Sequence, residues 1–216
     1  MRQPSAPLCE LCGQSDNGAG PICANCLSHP PRFSRLRSWS VFAHPVRQAL
    51  HALKYRGDMG LAEALVPDLA LFVSGLKWSS ELLVPVPLGK ERLMERGYNQ
   101  AGLISWPLSL ALDLRHAPGA LRRTRETPSQ VGLSRAARRL NVRGAFEASS
   151  SLVRGRSVLL LDDVATTGAT LSSCADALFA AEARDVLALT VARAHPGRDA
   201  YGGFGAPAGG QQKEPR

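Results

Sequence analysis

Residues 159–170 read LLLDDVATTGAT, and this stretch more than any other limits what the chain can fold into. Taken with the preceding Ser157 and Val158, it begins as a continuous apolar run that stops at two adjacent acids, the pattern of a short strand buried on both faces. The small residues that follow lead straight into ATLSSCADALFAAEA, which reads as a helix, and then into DVLALTVAR, a second buried strand. Strand, helix and strand in that order call for parallel pairing through a crossover. Upstream, PVRQALHALKY sets Val46, Leu50 and Leu53 at helical spacing, and Gly57 with Asp58 separates it from a second helix reaching Gly75. ELLVPVP is a short buried strand, and LMERGYNQAGLISWPLSLALDL reads as one helix with room for a kink at Pro107. The alternation predicts an α/β fold, an open and mainly parallel sheet with helices on both faces.

That order sets Asp162 and Asp163 at the carboxyl end of a parallel strand, where open α/β sheets bind their ligands. The backbone N–H groups of Thr166, Thr167, Gly168, Ala169 and Thr170 converge there with the positive end of the helix dipole, and the threonine hydroxyls add donors. This is a phosphate cradle. Two carboxylates repel a phosphate, so they are suited to accept hydrogen bonds from neutral hydroxyls further along the same ligand. A ribose 5-phosphate moiety fits both halves. The plainer reading is an ordinary strand-to-helix turn with an acidic cap. Other phosphate motifs fall away, since no G-x-x-x-x-G-K-[ST] occurs. Gly203, Gly205 and Ala208 have dinucleotide-motif spacing, but Pro207 interrupts them and no helix is expected after them.

With 216 residues, 44% of them apolar, the chain can bury a sizeable core and accommodate one main domain plus something small. The small part is at the amino terminus. Cys9, Cys12, Cys23 and Cys26 form C-x2-C-x10-C-x2-C, two knuckles that let four thiolates converge on a structural zinc ion. Disulfides are the alternative, but Met1 to Leu8 lacks the apolar run of a secretory signal. Cys174, within an apolar run, is expected to be an inert core thiol, and the five histidines lack ligand spacing. SHPPRFSRLRS reads as a link, which divides the chain into a cysteine module and linker at 1–38, a main domain at 39–194 and a disordered glycine- and proline-rich tail at 195–216. The absence of a long apolar run predicts no transmembrane segment and a cytoplasmic protein.

LLLDDVATTGAT resembles the phosphoribosyl pyrophosphate (PRPP) motif of type I phosphoribosyltransferases. From Cys9 to Arg193, through LKYRGD, VPVPLGKERLMERGYNQA and RRTRETPSQVGLSRAARRLNVRGAF, the chain resembles the ComF family of competence-associated proteins. The resemblance implies an amidophosphoribosyltransferase-like domain of the type I phosphoribosyltransferase fold behind a zinc knuckle, and a role in DNA uptake during natural transformation. It assigns the ribose to Asp162 and Asp163 as catalytic-site acids, and the 5-phosphate to Thr166–Thr170. It sets Pro87–Arg92 where these enzymes bind pyrophosphate, with Lys90 and Arg92 suited to that anion. Arg96, Asn99 and Gln100 are either a second donor set or helix-start packing. Arg123–Arg143, including Arg123 and Arg125 as PRPP ligands, matches the flexible catalytic loop, and magnesium is expected to arrive with PRPP.

No separate segment long enough to be an acceptor-binding hood is evident. Three kinds of function therefore stay open: a phosphoribosyltransferase of unknown acceptor, a non-catalytic module sensing PRPP or a nucleotide, and a zinc-anchored interaction protein. Between Arg115 and Arg143 lie eight arginines and one acid, Glu126, so this segment carries +7 of the formal net charge of +8. Some of these arginines close over PRPP and the rest are solvated, or the segment also tracks a single-stranded DNA backbone. Competence-machinery proteins are the other partners the resemblance implies.

Overall fold

The computed structural model describes residues 3–16, 20–127 and 134–194. In chain order its elements are α1 (Ala24–Ser28), β1 (Arg35–Val41), α2 (Val46–Tyr55), α3 (Gly60–Ala64), α4 (Val66–Leu76), β2 (Leu82–Pro85), α5 (Lys90–Arg96) and α6 (Gln100–Ala111). Then follow β3 (Arg115–His116), a 3-10 turn at Pro118–Ala120, β4 (Leu121–Arg123), α7 (Arg135–Val142), β5 (Phe146–Ala148), α8 (Ser150–Val153), β6 (Ser157–Ala165), α9 (Ala169–Ala180) and β7 (Asp185–Arg193).

The apolar run SVLLL occupies the middle of a five-stranded sheet ordered β1-β7-β6-β2-β3, in which every pairing is parallel. Alternate residues of β6 feed opposite layers, which is why the run shows no polar positions. Val158 and Leu160 join the layer of α9 and the small β4-β5 ribbon, whereas Leu159 and Leu161 join the layer of α2, α3, α4 and α6. Leu160 and Leu161 are fully buried. Each contributes about 1.5–3 kcal/mol by leaving water.

Chain direction makes the crevice. From β2 the chain crosses by α6 to β3 on one side, and from β6 it crosses by α9 to β7 on the other, so β2 and β6 flank the topological switch point. Pairing of β2 with β6 ends at Pro85↔Leu161, but β6 continues beside β7 through Ala165↔Arg193. The β2-facing edge of β6 is thereby left open at Asp162.

Several elements differ from the sequence reading. The segment expected as a link contains β1, which pairs with β7 from Arg35 onward, and Phe33 and Leu36 belong to the main core. The main fold thus begins before residue 38; arginines alternating with Leu36 and Ser38 disguised an edge strand. The single helix expected over LMERGYNQAGLISWPLSLALDL is two, because Gly97 terminates α5 with a φ of 76° and Asn99 caps α6. The arginine-rich stretch holds β3, β4 and α7. The tail read as disordered lies outside the described residues.

Candidate functional site

Beyond the end of β2 a cavity of about 460 Å³ opens over the exposed edge of β6. Asp162, Asp163, Thr166, Gly168, Ala169 and Thr170 line it from β6 and the start of α9, and Pro87, Leu88, Arg92 and Arg96 from the β2–α5 side. Arg123 of β4 and Arg138 of α7 complete it. The sequence-predicted acids, most of the phosphate loop and three of the predicted arginines therefore share one space.

The two acids are in unlike environments. Asp163 forms an ion pair with Lys54 from the last turn of α2, and its Oδ1 accepts from Val164 N at 2.8 Å. Burial alone would raise its pKa, but the Lys54 ammonium, as charge and as donor, holds it below the ordinary carboxylate value. Asp162 accepts from Asp163 N at 2.9 Å. Burial first, and the neighbouring Asp163 charge second, push it up to about 7. Near neutrality the pair thus offers one firm acceptor and one carboxyl able to donate or accept, a match for a vicinal diol.

Loop geometry follows from one glycine. Gly168 caps α9 with φ 77°, a left-handed conformation that favours glycine, and lies at contact distance from the Phe33 ring. Thr167 Oγ1 accepts from Ala169 N at 3.3 Å, and its side chain faces a second cleft of about 200 Å³ rather than the main cavity. Of the three threonines, Thr166 and Thr170 line the main cavity and Thr167 does not. Cys174, behind the loop, is fully buried and its thiol is pushed well above its ordinary pKa by burial, as an inert core residue should be.

Lys90 and Arg125 are not brought to the cavity. Lys90 is exposed, and its backbone N–H donates to Glu126 Oε1 at 2.5 Å; a side chain at Gly89 would collide with the same carboxylate. Arg125 donates to the carbonyls of Asn141 and Arg143 at 3.1 and 2.8 Å, tying the exit of β4 to the end of α7. Arg96, Asn99 and Gln100 all line the cavity, and Asn99 also caps α6, its Oδ1 accepting from Ala101 N and its Nδ2 donating to Val86 O.

Lys54, Tyr55 and Glu95 also line the cavity and were missed by sequence reasoning, whereas Arg138 comes from the arginine-rich segment that the sequence singled out. The Arg96 guanidinium carbon lies 5.1 Å from the Tyr55 ring centre, and the Tyr98 hydroxyl donates to Leu53 O, which fastens the end of α2 to the α5–α6 turn. The only advance signal was positional: Lys54 follows Leu53 on the last turn of an amphipathic helix.

At the amino terminus, the thiol sulfurs of Cys9, Cys12, Cys23 and Cys26 all lie within 4.8 Å of one another, all four residues are buried and none forms a disulfide. Cys12 and Cys23 Sγ are 3.8 Å apart. Tetrahedral sulfur ligands at about 2.3 Å from one ion stand about 3.8 Å apart, so the donor set fits a metal ion. Cys12 is lowered to about 5, foremost by its hydrogen bond with Cys26, while Cys26 is raised by the same bond and by burial. Four buried sulfurs this close could all ionise together only around a cation.

No family model matches the chain. It is 35% identical over 176 residues to the DNA utilization protein YhgH of Escherichia coli K12, covering 79% of this chain and 77% of that protein. It is 33% identical over 175 residues to competence protein F of Haemophilus influenzae (78% and 76% covered), and 29% identical over 185 residues to competence protein ComFC of Bacillus subtilis (82% and 74%). Solved structures it is similar to include adenine phosphoribosyltransferase of Saccharomyces cerevisiae, at TM-score 0.40 and 19% identity over 62% of this chain and 69% of that one. Glutamine PRPP amidotransferase of B. subtilis gives TM-score 0.40 and 18% identity over 56% and 24%.

Sheet order, dicarboxylate strand and glycine-capped loop define an α/β protein built on an open parallel sheet, with a four-cysteine module in front. The chain belongs to the ComF family of competence and DNA-utilization proteins. Among the described residues no helix is long and apolar enough to cross a membrane.

Proposed function

We propose that the cavity binds PRPP or another ribose 5-phosphate compound in a protein of DNA uptake or handling. Asp162 and Asp163 take the 2′ and 3′ hydroxyls and the loop Thr166–Thr170 takes the 5′-phosphate, with Arg92 and Arg123 toward the diphosphate. One observation carries this: a carboxylate pair suited to a diol and a glycine-capped loop suited to a phosphate line one cavity at the sheet's switch point. Magnesium is carried in by the diphosphate oxygens, and the four cysteines hold zinc. The site is cytoplasmic in this reading. If active, the protein is a phosphoribosyltransferase; if not, the same site senses PRPP or a nucleotide.

Calorimetry with PRPP tests the binding. Asp162→Asn and Thr170→Val should each weaken it by roughly tenfold, since a hydrogen bond to a charged group contributes about 1.5–3 kcal/mol. Wild-type affinity in both variants would locate the site elsewhere. Pyrophosphate release on offering amine and nucleobase acceptors separates the enzyme from the sensor.

A second reading, single-stranded DNA binding beside this site, has support from Arg139 and Arg143, which line the cleft on the other side of the phosphate loop. Competence-machinery proteins are the natural further partners of either form.

A further inference from the structure

The phosphate loop has a back as well as a front, and its back is the cysteine module. Gly168 stands against Phe33, whose ring carbons lie 3.5 Å from where a Gly168 side chain would begin. Phe33 is 3% exposed and sits in the core layer that contains α9. Downstream, Ser34 N donates to Val186 O at 2.9 Å, which fixes Phe33 to the sheet. Upstream, the second knuckle runs through α1 and two prolines to Arg32. The Arg32 N–H donates to Ser172 Oγ at 3.0 Å and its guanidinium to Asp176 at 2.5 Å, both on the first turns of α9.

The first knuckle is fastened to the same place. Leu36 N donates to Leu11 O at 2.7 Å, and the Arg37 guanidinium donates to the carbonyls of Glu10 at 3.0 Å and Cys9 at 3.4 Å. A side chain at Gly13 would strike the Leu36 carbonyl, so this turn lies directly on β1. Cys12 and Cys26 share their cleft with Thr167, Gly168 and Ala169. The cysteine knuckles, Phe33 and the phosphate loop thus border one cleft, and the first knuckle is bonded to β1 three residues after Phe33, the kind of connected network through which two sites can influence each other.

We infer that Phe33, held by the four-cysteine module, is a positioning residue for the phosphate loop, so that metal binding by the cysteines and 5′-phosphate binding by the loop strengthen each other. The inference rests on the proposed ribose 5-phosphate reading of the cavity. Backbone donors act on a phosphate only when several point at it together, and a left-handed Gly168 without Phe33 beneath it is free to turn them away. The coupling is reciprocal by thermodynamic necessity: whatever affinity the metal adds for the phosphate, the phosphate adds for the metal.

The experiment measures two ligands that report on opposite ends of the cavity, ribose 5-phosphate and inorganic pyrophosphate, by calorimetry on the full chain. Phe33→Ala should weaken ribose 5-phosphate by roughly tenfold, the effect of misdirecting one or two charge-assisted donors, and leave pyrophosphate unchanged. Phe33→Leu, which keeps an apolar support, should restore most of the affinity. Chelation of the metal from wild-type protein should reproduce the selective loss without any substitution in the core, and amide exchange at 166–170 should quicken. Equal weakening of both ligands, or unchanged ribose 5-phosphate binding after Phe33→Ala and after chelation, overturns the inference. If wild-type protein binds pyrophosphate but not ribose 5-phosphate, the functional reading itself fails.

Discussion

Replacing Asp162 by asparagine should make the protein more stable above neutrality while weakening its ligand. In the unfolded chain this carboxyl loses its proton near pH 3.9. In the fold, burial foremost and then the Asp163 charge hold the proton up to about pH 7. Between those values the folded state binds more protons than the unfolded state, so stability falls as pH rises, and the penalty is complete only above about 7. A rise from 3.8 to about 7, at about 1.4 kcal/mol per unit, sets an upper bound of about 4 kcal/mol. Because the two carboxyls titrate as a coupled pair, the expected difference lies below that bound, at about 2–3 kcal/mol. The asparagine amide keeps the shape of the carboxyl and cannot ionise. Urea unfolding of wild type and Asp162→Asn at intervals from pH 4 to 9 should therefore give curves that nearly meet at pH 4 and diverge to about 2–3 kcal/mol at pH 8, the variant being the more stable. Parallel curves would refute the argument, because they would mean that the buried carboxyl titrates at its ordinary value.

Lys54→Met should cost about 3 kcal/mol at pH 7, the usual penalty for stranding one member of a buried pair. Because the folded pKa of Asp163 is depressed, its contribution to stability is present above about pH 4 and is lost as pH falls through the folded value; acid unfolding of the variant should lack that limb. Glu126→Gln should tighten inorganic pyrophosphate several-fold in calorimetry, since the Glu126 carboxylate occupies the Lys90 N–H in the turn proposed to receive that anion; unchanged affinity would show that it does not compete. Replacing Arg138 and Arg139 with glutamine should lower the slope of log K against log salt for single-stranded DNA by about 1.4, and an unaltered slope would remove this face as a DNA site.

What could be read from the sequence was what is encoded locally. The strand, loop and helix around Asp162 are contiguous, so an apolar run, two acids and a small-residue turn suffice to announce them. The cysteines announce themselves by spacing. Lys54 could not be found in this way, because its meaning lies in an ion pair with a residue distant in the chain and its own helix would form equally well with any long side chain there. The strands β3, β4 and β5 are two or three residues long and owe their existence to partners elsewhere, Arg115 beside Leu82 and Arg122 opposite Glu147. β1 was obscured because an edge strand can carry arginines, which composition assigns to a link. Nor could the sequence show that α2, between β1 and β2, supplies Lys54 and Tyr55 to the cavity wall from its last turn.

The arginine-rich segment shows why charge in a sequence is not yet charge on a surface. Arg122 is paired with Glu147, and Arg125 is consumed by two backbone carbonyls. Arg123 and Arg138 face the main cavity, and Arg139 and Arg143 face the cleft behind the phosphate loop. Four arginines of the block are thus divided between two concavities, with the loop 166–170 as the wall between them. Concave, low-dielectric surroundings focus a field more effectively than an open stripe does. In the main cavity five basic side chains, Lys54, Arg92, Arg96, Arg123 and Arg138, face three acids, Glu95, Asp162 and Asp163. Lys54 is already committed to Asp163, so the arginines set the sign everywhere except at the edge of β6. A ligand matched to that distribution carries anions at its ends and neutral hydroxyls between them. A nucleic-acid strand lacks the free diol, and it would have to cross the mouth of the same cavity to reach Arg138 and Arg139 together. Small ligand and strand would then compete for Arg138.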